Sequence, residues 1–273
     1  MALPTDNRTA NRRTLAIVVG ALVVGGGLLW LALGVFRPEP PAGGGGGGGG
    51  GGSTSIDLEG WKLTLPTEGK SGNAASVEPA ELTEPWLTAG PDGSLTFWAP
   101  AEGATTKNSD HPRTELNSLT NFKAGTDGEH TLEASLAVNQ VPGDSKDIIV
   151  GQIHGADDIS SVPYVMLHYR DGEIRVVVKQ QHKGDEKQAF SLLTGVPLND
   201  RFDITITDDG NGSMTIGASH AGNTQQITAQ VPAAFQGQTV RFQVGDYQQA
   251  DSAQGADDGG RVTFYKIAES SGS

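Results

Sequence analysis

Three short stretches of this chain carry side chains able to bind an anion and to move a proton. In Gly151-Gln152-Ile153-His154-Gly155, which follows the apolar run Ile148-Ile149-Val150, Gln152 and His154 stand two residues apart. Successive side chains of a strand alternate between its faces, so these two share one face. Glutamine is an uncharged donor and acceptor; histidine exchanges a proton near neutral pH. The flanking glycines leave the backbone open to a bulky ligand. In His111-Pro112-Arg113-Thr114-Glu115-Leu116-Asn117 the same period groups Arg113, Glu115 and Asn117, with Thr114 and Leu116 opposite. From Thr239 to Gln249 the pattern is cleanest. Val240, Phe242 and Val244 make an apolar face, and Arg241, Gln243, Gly245, Tyr247 and Gln249 a polar one. A merely solvated strand face carries Thr, Lys and Glu. One bearing Arg, Gln, His and Tyr suits the floor of a sugar-binding site, provided the three strands lie side by side.

The elements that must position these residues are strands. From Ser53 onward, short alternating runs such as 93–99, 130–138 and 201–207 are separated by Gly, Asp, Asn and Pro. Arg170-Asp171-Gly172, between 164–169 and 173–180, reads as a tight hairpin turn. Asp208-Asp209-Gly210-Asn211-Gly212 reads as another; it lacks the remaining ligand spacing of a calcium loop. Glu78 to Thr88 is predicted to hold one short helix. The pattern predicts an all-β fold, a β-sandwich or jelly roll with a concave substrate-binding sheet. Trp61, Trp86 and Trp98 fall in its opening strands and are expected in the core.

The chain has 273 residues and a formal net charge of −13. Of its 19 basic and 32 acidic side chains, four arginines and two acids fall at or before Gly52, leaving 15 against 30. That balance argues against nucleic-acid binding, which needs a basic footprint. A polyanionic ligand must then be met by local charge. There is no cysteine, so disulfides, thiolate metal sites and cysteine nucleophiles are excluded. His111, His130, His168, His182 and His220 lack metal-ligand spacing, and neither a metal nor any other cofactor is expected.

Residues 1–13 are a basic tail. Thr14 to Phe36 is uncharged and rich in Leu, Val, Ala and Gly. As a helix it spans roughly 34 Å, enough for a bilayer core. The reading is a single-pass anchor with the rest of the chain outside the cell, by the basic flank. The alternative is a cleaved signal segment and a secreted protein. Residues 37–54 form a linker, proline-rich and then, from Gly43 to Gly52, all glycine. Those glycines give a flexible reach on the order of 17 Å.

Arg113-Thr114-Glu115-Leu116, Gln152-Ile153-His154 and Phe242-Gln243-Val244-Gly245-Asp246-Tyr247-Gln248-Gln249 resemble the three signature motifs of the family 7 polysaccharide lyases. These are alginate lyases with a β-jelly-roll fold, and their motifs read roughly R-[ST]-E-L, Q-[IV]-H and Y-F-K-A-G-x-Y-N-Q. Asp57 to Pro66 resembles the family's opening and Val262 to Ile267 its last strand, so the resemblance covers about 55–268. The chain departs from the pattern with Arg241 for Tyr, Gln243 for Lys, Val244 for Ala and Gln248 for Asn. Asn117 stands where many members carry a second Arg. These departures predict a cleft poorer in cations.

The resemblance implies β-elimination of a 4-O-linked uronate. The C5 proton leaves, the C4–O bond breaks, and a 4,5-unsaturated uronate remains. C5–H is weakly acidic while the neighbouring carboxylate is charged, so groups that neutralise that carboxylate stabilise the developing enolate. Arg113 is expected to do so by a forked contact, and Gln152 to donate a further hydrogen bond. By resemblance Tyr247 protonates the leaving oxygen, and serves also as base on mannuronate, where proton and leaving group lie on one side. His154 is the base for guluronate. Glu115 is read either as a partner that holds Arg113 or a neighbouring basic group or as an exposed strand glutamate, and it is counted among the residues at the substrate. Asn117, Gln243, Gln249 and Lys179 complete the expected substrate contacts. Ile153 leans the family pattern towards guluronate-containing polymer. Arg170, Arg175, Lys179, Lys183 and Lys187 cluster around one hairpin and either steer the polyanion or simply solvate a strand face.

Two other classes remain. A non-catalytic carbohydrate-binding module can share the fold, but has no need of His154 and Tyr247 together with Arg113. A glycoside hydrolase needs two carboxyl groups flanking the bond; Glu115 is the one acid on the motif faces, with Asp246 adjacent. Lyase chemistry on another polyuronate, such as glucuronan, is a third reading. The expected partners are an anionic polysaccharide and, through the N-terminal segment, the membrane; the domain is expected to be a monomer.

Overall fold

The computed structural model describes residues 54–79 and 83–272. The tail at 1–13, the anchor at 14–36 and the linker as far as residue 53 lie outside the described residues. In chain order the strands are β1 (Trp61–Glu68), β2 (Ala74–Val77), β3 (Leu87–Ala89), β4 (Leu95–Pro100), β5 (Thr114–Ser118), β6 (Phe122–Lys123), β7 (Glu129–Gln140) and β8 (Asp147–Gly155). There follow β9 (Pro163–Arg170), β10 (Glu173–Lys179), β11 (Lys187–Leu193), β12 (Phe202–Asp208), β13 (Ser213–His220), β14 (Asn223–Gln230), β15 (Thr239–Gln248) and β16 (Gly259–Gly272). A short 3-10 turn, Asp157–Ile159, follows β8. No helix among the described residues is long and apolar enough to cross a membrane.

Two antiparallel sheets stack face to face. One runs β11-β10-β9-β8-β15-β5-β1-β2, with β6 beside β15; the other runs β14-β13-β12-β7-β16-β4-β3. Alternation along each strand decides which side faces the partner sheet. Leu63, Leu116, Val150 and Phe242 of the first sheet meet Phe97, Leu132, Ile204 and Phe264 of the second, all buried. Phe97 and Phe264 meet edge to face at 5.2 Å between ring centroids, the arrangement that the aromatic quadrupole favours. With no cysteine available, this burial holds the sandwich.

Both predicted hairpins form. Asp171 and Gly172 have φ of 49° and 83°, and Glu173 pairs with Arg170 across the turn. Two left-handed residues match the twist of the strands they join. At the second hairpin Asp208 faces inward and accepts from the Gly125 and Gly210 N–H groups. The helix expected over Glu78–Thr88 does not form in the described part of that stretch. Pro85 lacks the N–H that a helix interior needs, the Trp86 and Leu87 N–H groups both turn back to Thr83 O, and the chain continues into β3. Trp61 is buried as expected, but Trp86 is only partly buried and Trp98 lies half-exposed with the Arg261 guanidinium 4.6 Å from its ring centroid.

Register across the first sheet brings the polar faces together. Lys62 of β1 pairs with Asn117 of β5, Asn117 with Gln243 of β15, and Gln243 with Gln152 of β8. One step along, Arg241 pairs with His154, and Glu115 pairs with Gly245. Gly245 has φ 153°, and a Cβ there would stand 2.6 Å from Thr114 O. Only glycine permits that approach of β15 to β5. It also leaves no side chain between Glu115 and Gln152, which lie on either side of β15.

Candidate active site

The outer face of the first sheet carries a cleft of about 550 Å³. Arg113, Asn117, Gln152, His154, Gln243 and Tyr247 all line it, as the sequence predicts. Glu115 lies beneath, fully buried. Its Oε2 is 3.2 Å from Arg113 Nη1, and its Oε1 accepts from Gln152 Nε2 at 2.5 Å. Burial pushes the Glu115 carboxyl pKa up, and Arg113, the Gln152 hydrogen bond and Arg241 oppose that rise. Glu115 is thus the partner that holds Arg113. The same guanidinium lies 3.4 Å from the Tyr247 ring centroid. A planar, charged group paired on one side and stacked on another has little rotational freedom left.

Gln152 departs from expectation. An amide has two N–H donors, and Gln152 gives one to Glu115 and the other to Gln243 Oε1 at 3.3 Å. None is left for a substrate carboxylate. Its Oε1, buried and without a protein partner, is the end it offers, and that end accepts. Gln243 in turn donates to Asn117 Oδ1 at 2.7 Å, and Asn117 donates to Thr64 Oγ1 and Glu115 O, both at 3.0 Å. The chain of amides across β8, β15, β5 and β1 fixes the floor.

His154 Nδ1 is 3.0 Å from Gly155 O. A carbonyl only accepts, so Nδ1 carries the proton and Nε2 keeps its lone pair. Burial pulls the imidazole down to about 4, with Arg113 and Arg241 adding to the shift. His154 is therefore a neutral base at any pH comfortably above that value. Tyr247 presents its hydroxyl to Ser109 Oγ at 2.9 Å.

Lys179 and Gln249 are not drawn into the cleft. Lys179 sits at the end of β10 opposite Lys187, and the Gln249 amide turns back to Tyr247 O and Gln248 O. Beside Arg241 of the polar β15 face, two cations line the cleft that the sequence reading did not assign to it: Lys62 and Lys107. Lys62, Lys107 and Arg241 thus stand with Arg113 in a cleft whose positions 117 and 243 carry amides. Arg241 takes the place of an aromatic residue, Lys62 arrives through β1–β5 pairing, and Lys107 lies on the loop before β5. No acid is among the described residues that line the cleft. Asp246 faces the other way, its Oδ2 accepting from Ala99 N–H at 3.1 Å. Among the described residues, a hydrolase's pair of carboxyl groups is therefore not found in the cleft. What this site can do is hold a polyanion by its carboxylates over a neutral imidazole and a phenol.

A two-sheet β-sandwich with such a site defines a class, the polysaccharide-cleaving lyases of jelly-roll fold. Solved structures agree. Alginate lyase PA1167 from Pseudomonas aeruginosa matches with a TM-score of 0.69 at 26% identity, over 79% of this chain and 100% of that one. Alginate lyase A1-II', a member of polysaccharide lyase family-7, matches with a TM-score of 0.67 at 26% identity, over 79% and 96%. The alginate lyase from Corynebacterium sp. gives 0.64 at 26% identity, over 80% and 96%. No curated protein matches. The family model described as Alginate lyase matches residues 56–270, and the chain belongs to that family. It is a polysaccharide lyase whose substrate is alginate.

Proposed function

We propose that this cleft breaks alginate by β-elimination with Tyr247 as proton donor, His154 as base and Arg113 as the group that neutralises the reacting carboxylate. The observation that carries the reading is the meeting of these three side chains in a cationic, acid-free cleft on a chain of net charge −13. Arg113 binds the uronate carboxylate, and the charge that develops on it as C5–H breaks is stabilised in place. His154 Nε2 takes the C5 proton of guluronate. The electron pair forms the C4–C5 double bond, and Tyr247 delivers its proton to the departing O4. On mannuronate, Tyr247 acts as phenolate, takes the C5 proton and passes that same proton to O4. Gln152 Oε1 accepts from a sugar hydroxyl rather than donating to the carboxylate.

The preferred block is guluronate-containing polymer. Forms of A1-II' were solved with a product GGG and a substrate GGMG. Ile153, the residue behind that preference, has its side chain in the core, so it acts through the packing of β8. The test is initial rates on polyguluronate, polymannuronate, mixed alginate and glucuronan, read as ultraviolet absorbance of the unsaturated product. Polyguluronate or mixed alginate is expected to be fastest; glucuronan as the best substrate overturns the assignment. The N-terminal segment holds the enzyme, as a monomer, on the outer face of the membrane; activity released by washing with salt alone contradicts the anchor.

Arg241 supports a second carboxylate beside His154. Arg241→Gln is expected to raise KM roughly tenfold, the loss of about one charge-assisted contact. With one cation gone, the His154 pKa rises. The acid limb of kcat/KM on polyguluronate, expected near 4 in the native enzyme, therefore moves to higher pH. An unchanged limb and KM place Arg241 outside the substrate path.

A further inference from the structure

The loop before β5 carries a hydroxyl that the sequence reading passed over. Ser109 Oγ stands 2.9 Å from the Tyr247 hydroxyl, 3.1 Å from His111 O and 3.2 Å from the His111 backbone N. A serine hydroxyl has one hydrogen and two lone pairs. His111 N–H can only donate and His111 O can only accept. With the serine hydrogen on His111 O, Ser109 Oγ accepts from both His111 N–H and Tyr247 O–H. Thr106 O takes the Ser109 N–H at 3.0 Å, and Ala250 O lies 2.8 Å from His111 Nδ1, so both ends of this short stretch are tied down. The charged and titratable groups facing Tyr247 are Arg113 on its ring and the His111 ring 6.3 Å away. On the β8 side its neighbour is the apolar Ile149.

We propose that Ser109 is a positioning residue for the reaction: it orients the Tyr247 hydroxyl in the ground state and solvates the phenolate once the proton has gone to substrate. The proposal rests on Tyr247 being the proton donor. As the C4–O bond breaks, the phenol hydrogen turns from Ser109 Oγ to O4 and passes to it, and the phenol oxygen becomes negative. The Ser109 hydrogen then swings from His111 O to that oxygen, while His111 N–H still donates to Ser109 Oγ. No proton is gained or lost by the serine, and the electron pair released from C5–H closes the double bond. A donor aimed where charge develops acts on the transition state more than on bound substrate.

Ser109→Ala is expected to lower kcat about tenfold with KM within about twofold, the pattern of an interaction made only in the transition state. Ser109→Thr keeps a hydroxyl and restores most of kcat. In the Tyr247→Phe background, Ser109→Ala costs nothing further, because no phenolate forms. A purely structural role gives another pattern: KM rises as the neighbouring Lys107 and Asn108 shift, Ser109→Thr fails to restore kcat, and the loss persists in the Phe background. That pattern, or an unchanged kcat in Ser109→Ala, overturns the proposal. If Tyr247→Phe itself remains active, the assignment of the proton donor has failed instead, and the two failures are told apart in one set of rates.

Discussion

Tyr247→Phe is expected to lower kcat on alginate by about two to four orders of magnitude while leaving substrate binding almost intact. The substitution removes only the hydroxyl that faces Ser109 and keeps the ring against which Arg113 lies at 3.4 Å. The floor of amides through Gln152, Gln243 and Asn117 does not touch that hydroxyl. Cleft shape and charge therefore survive, and what disappears is the proton for O4. Without it the leaving oxygen departs as an alkoxide, which is a far poorer leaving group. Calorimetric titration with an alginate oligomer checks the binding half, and initial rates check the catalytic half. A variant that retains rates within about tenfold of native moves the acid role to another group in reach of the cleft, Lys107 being the first to examine.

Arg113→Lys is expected to lower kcat about a hundredfold to a thousandfold, with a smaller rise in KM. Arginine at this position does three things at once: it pairs with Glu115, stacks on Tyr247 and lines the cleft. Lysine keeps the charge but is a point donor on a flexible stem, without the plane needed to stack or to fork around a carboxylate. Arg113→Ala is the weaker experiment, because it strands a buried Glu115 carboxylate and costs about 3–5 kcal/mol of stability. Thermal unfolding of the lysine variant, compared with native, separates loss of catalysis from loss of fold. A lysine variant with native kcat excludes Arg113 from stabilising the enolate.

Much of this site was legible in the sequence because it rides on period-two alternation. Arg241, Gln243 and Tyr247 come out on one face of β15, Arg113 and Asn117 on one face of β5, Gln152 and His154 on one face of β8, and register makes these faces one. What stayed hidden depends on which strands become neighbours and on loops. Lys62 reaches the cleft only because β1 pairs with β5, which no local pattern records. Ser109 and Lys107 lie on a loop with no period to read. The donor inventory of Gln152 was also out of reach, since its two hydrogens are spoken for by residues on other strands. Near Pro85 the helix expectation failed because the ring nitrogen has no hydrogen to give: a single turn closes on Thr83 O, and the chain then passes into β3. Asp246, one residue from Tyr247, shows alternation at its most consequential: it faces the opposite sheet, and with it goes any pair of carboxyl groups for hydrolysis.

The central claim is elimination rather than hydrolysis, and the direct test is digestion of alginate in oxygen-labelled water with a chelator present, followed by ultraviolet absorbance and mass of the products. Elimination adds no water across the broken bond. The account predicts unsaturated ends that absorb, each lighter by one water than a hydrolytic end and free of labelled oxygen, and it predicts that Tyr247→Phe and His154→Ala both suppress them on polyguluronate. Saturated non-reducing ends, with no absorbance and a total product mass higher by one water for each bond cut, would contradict it.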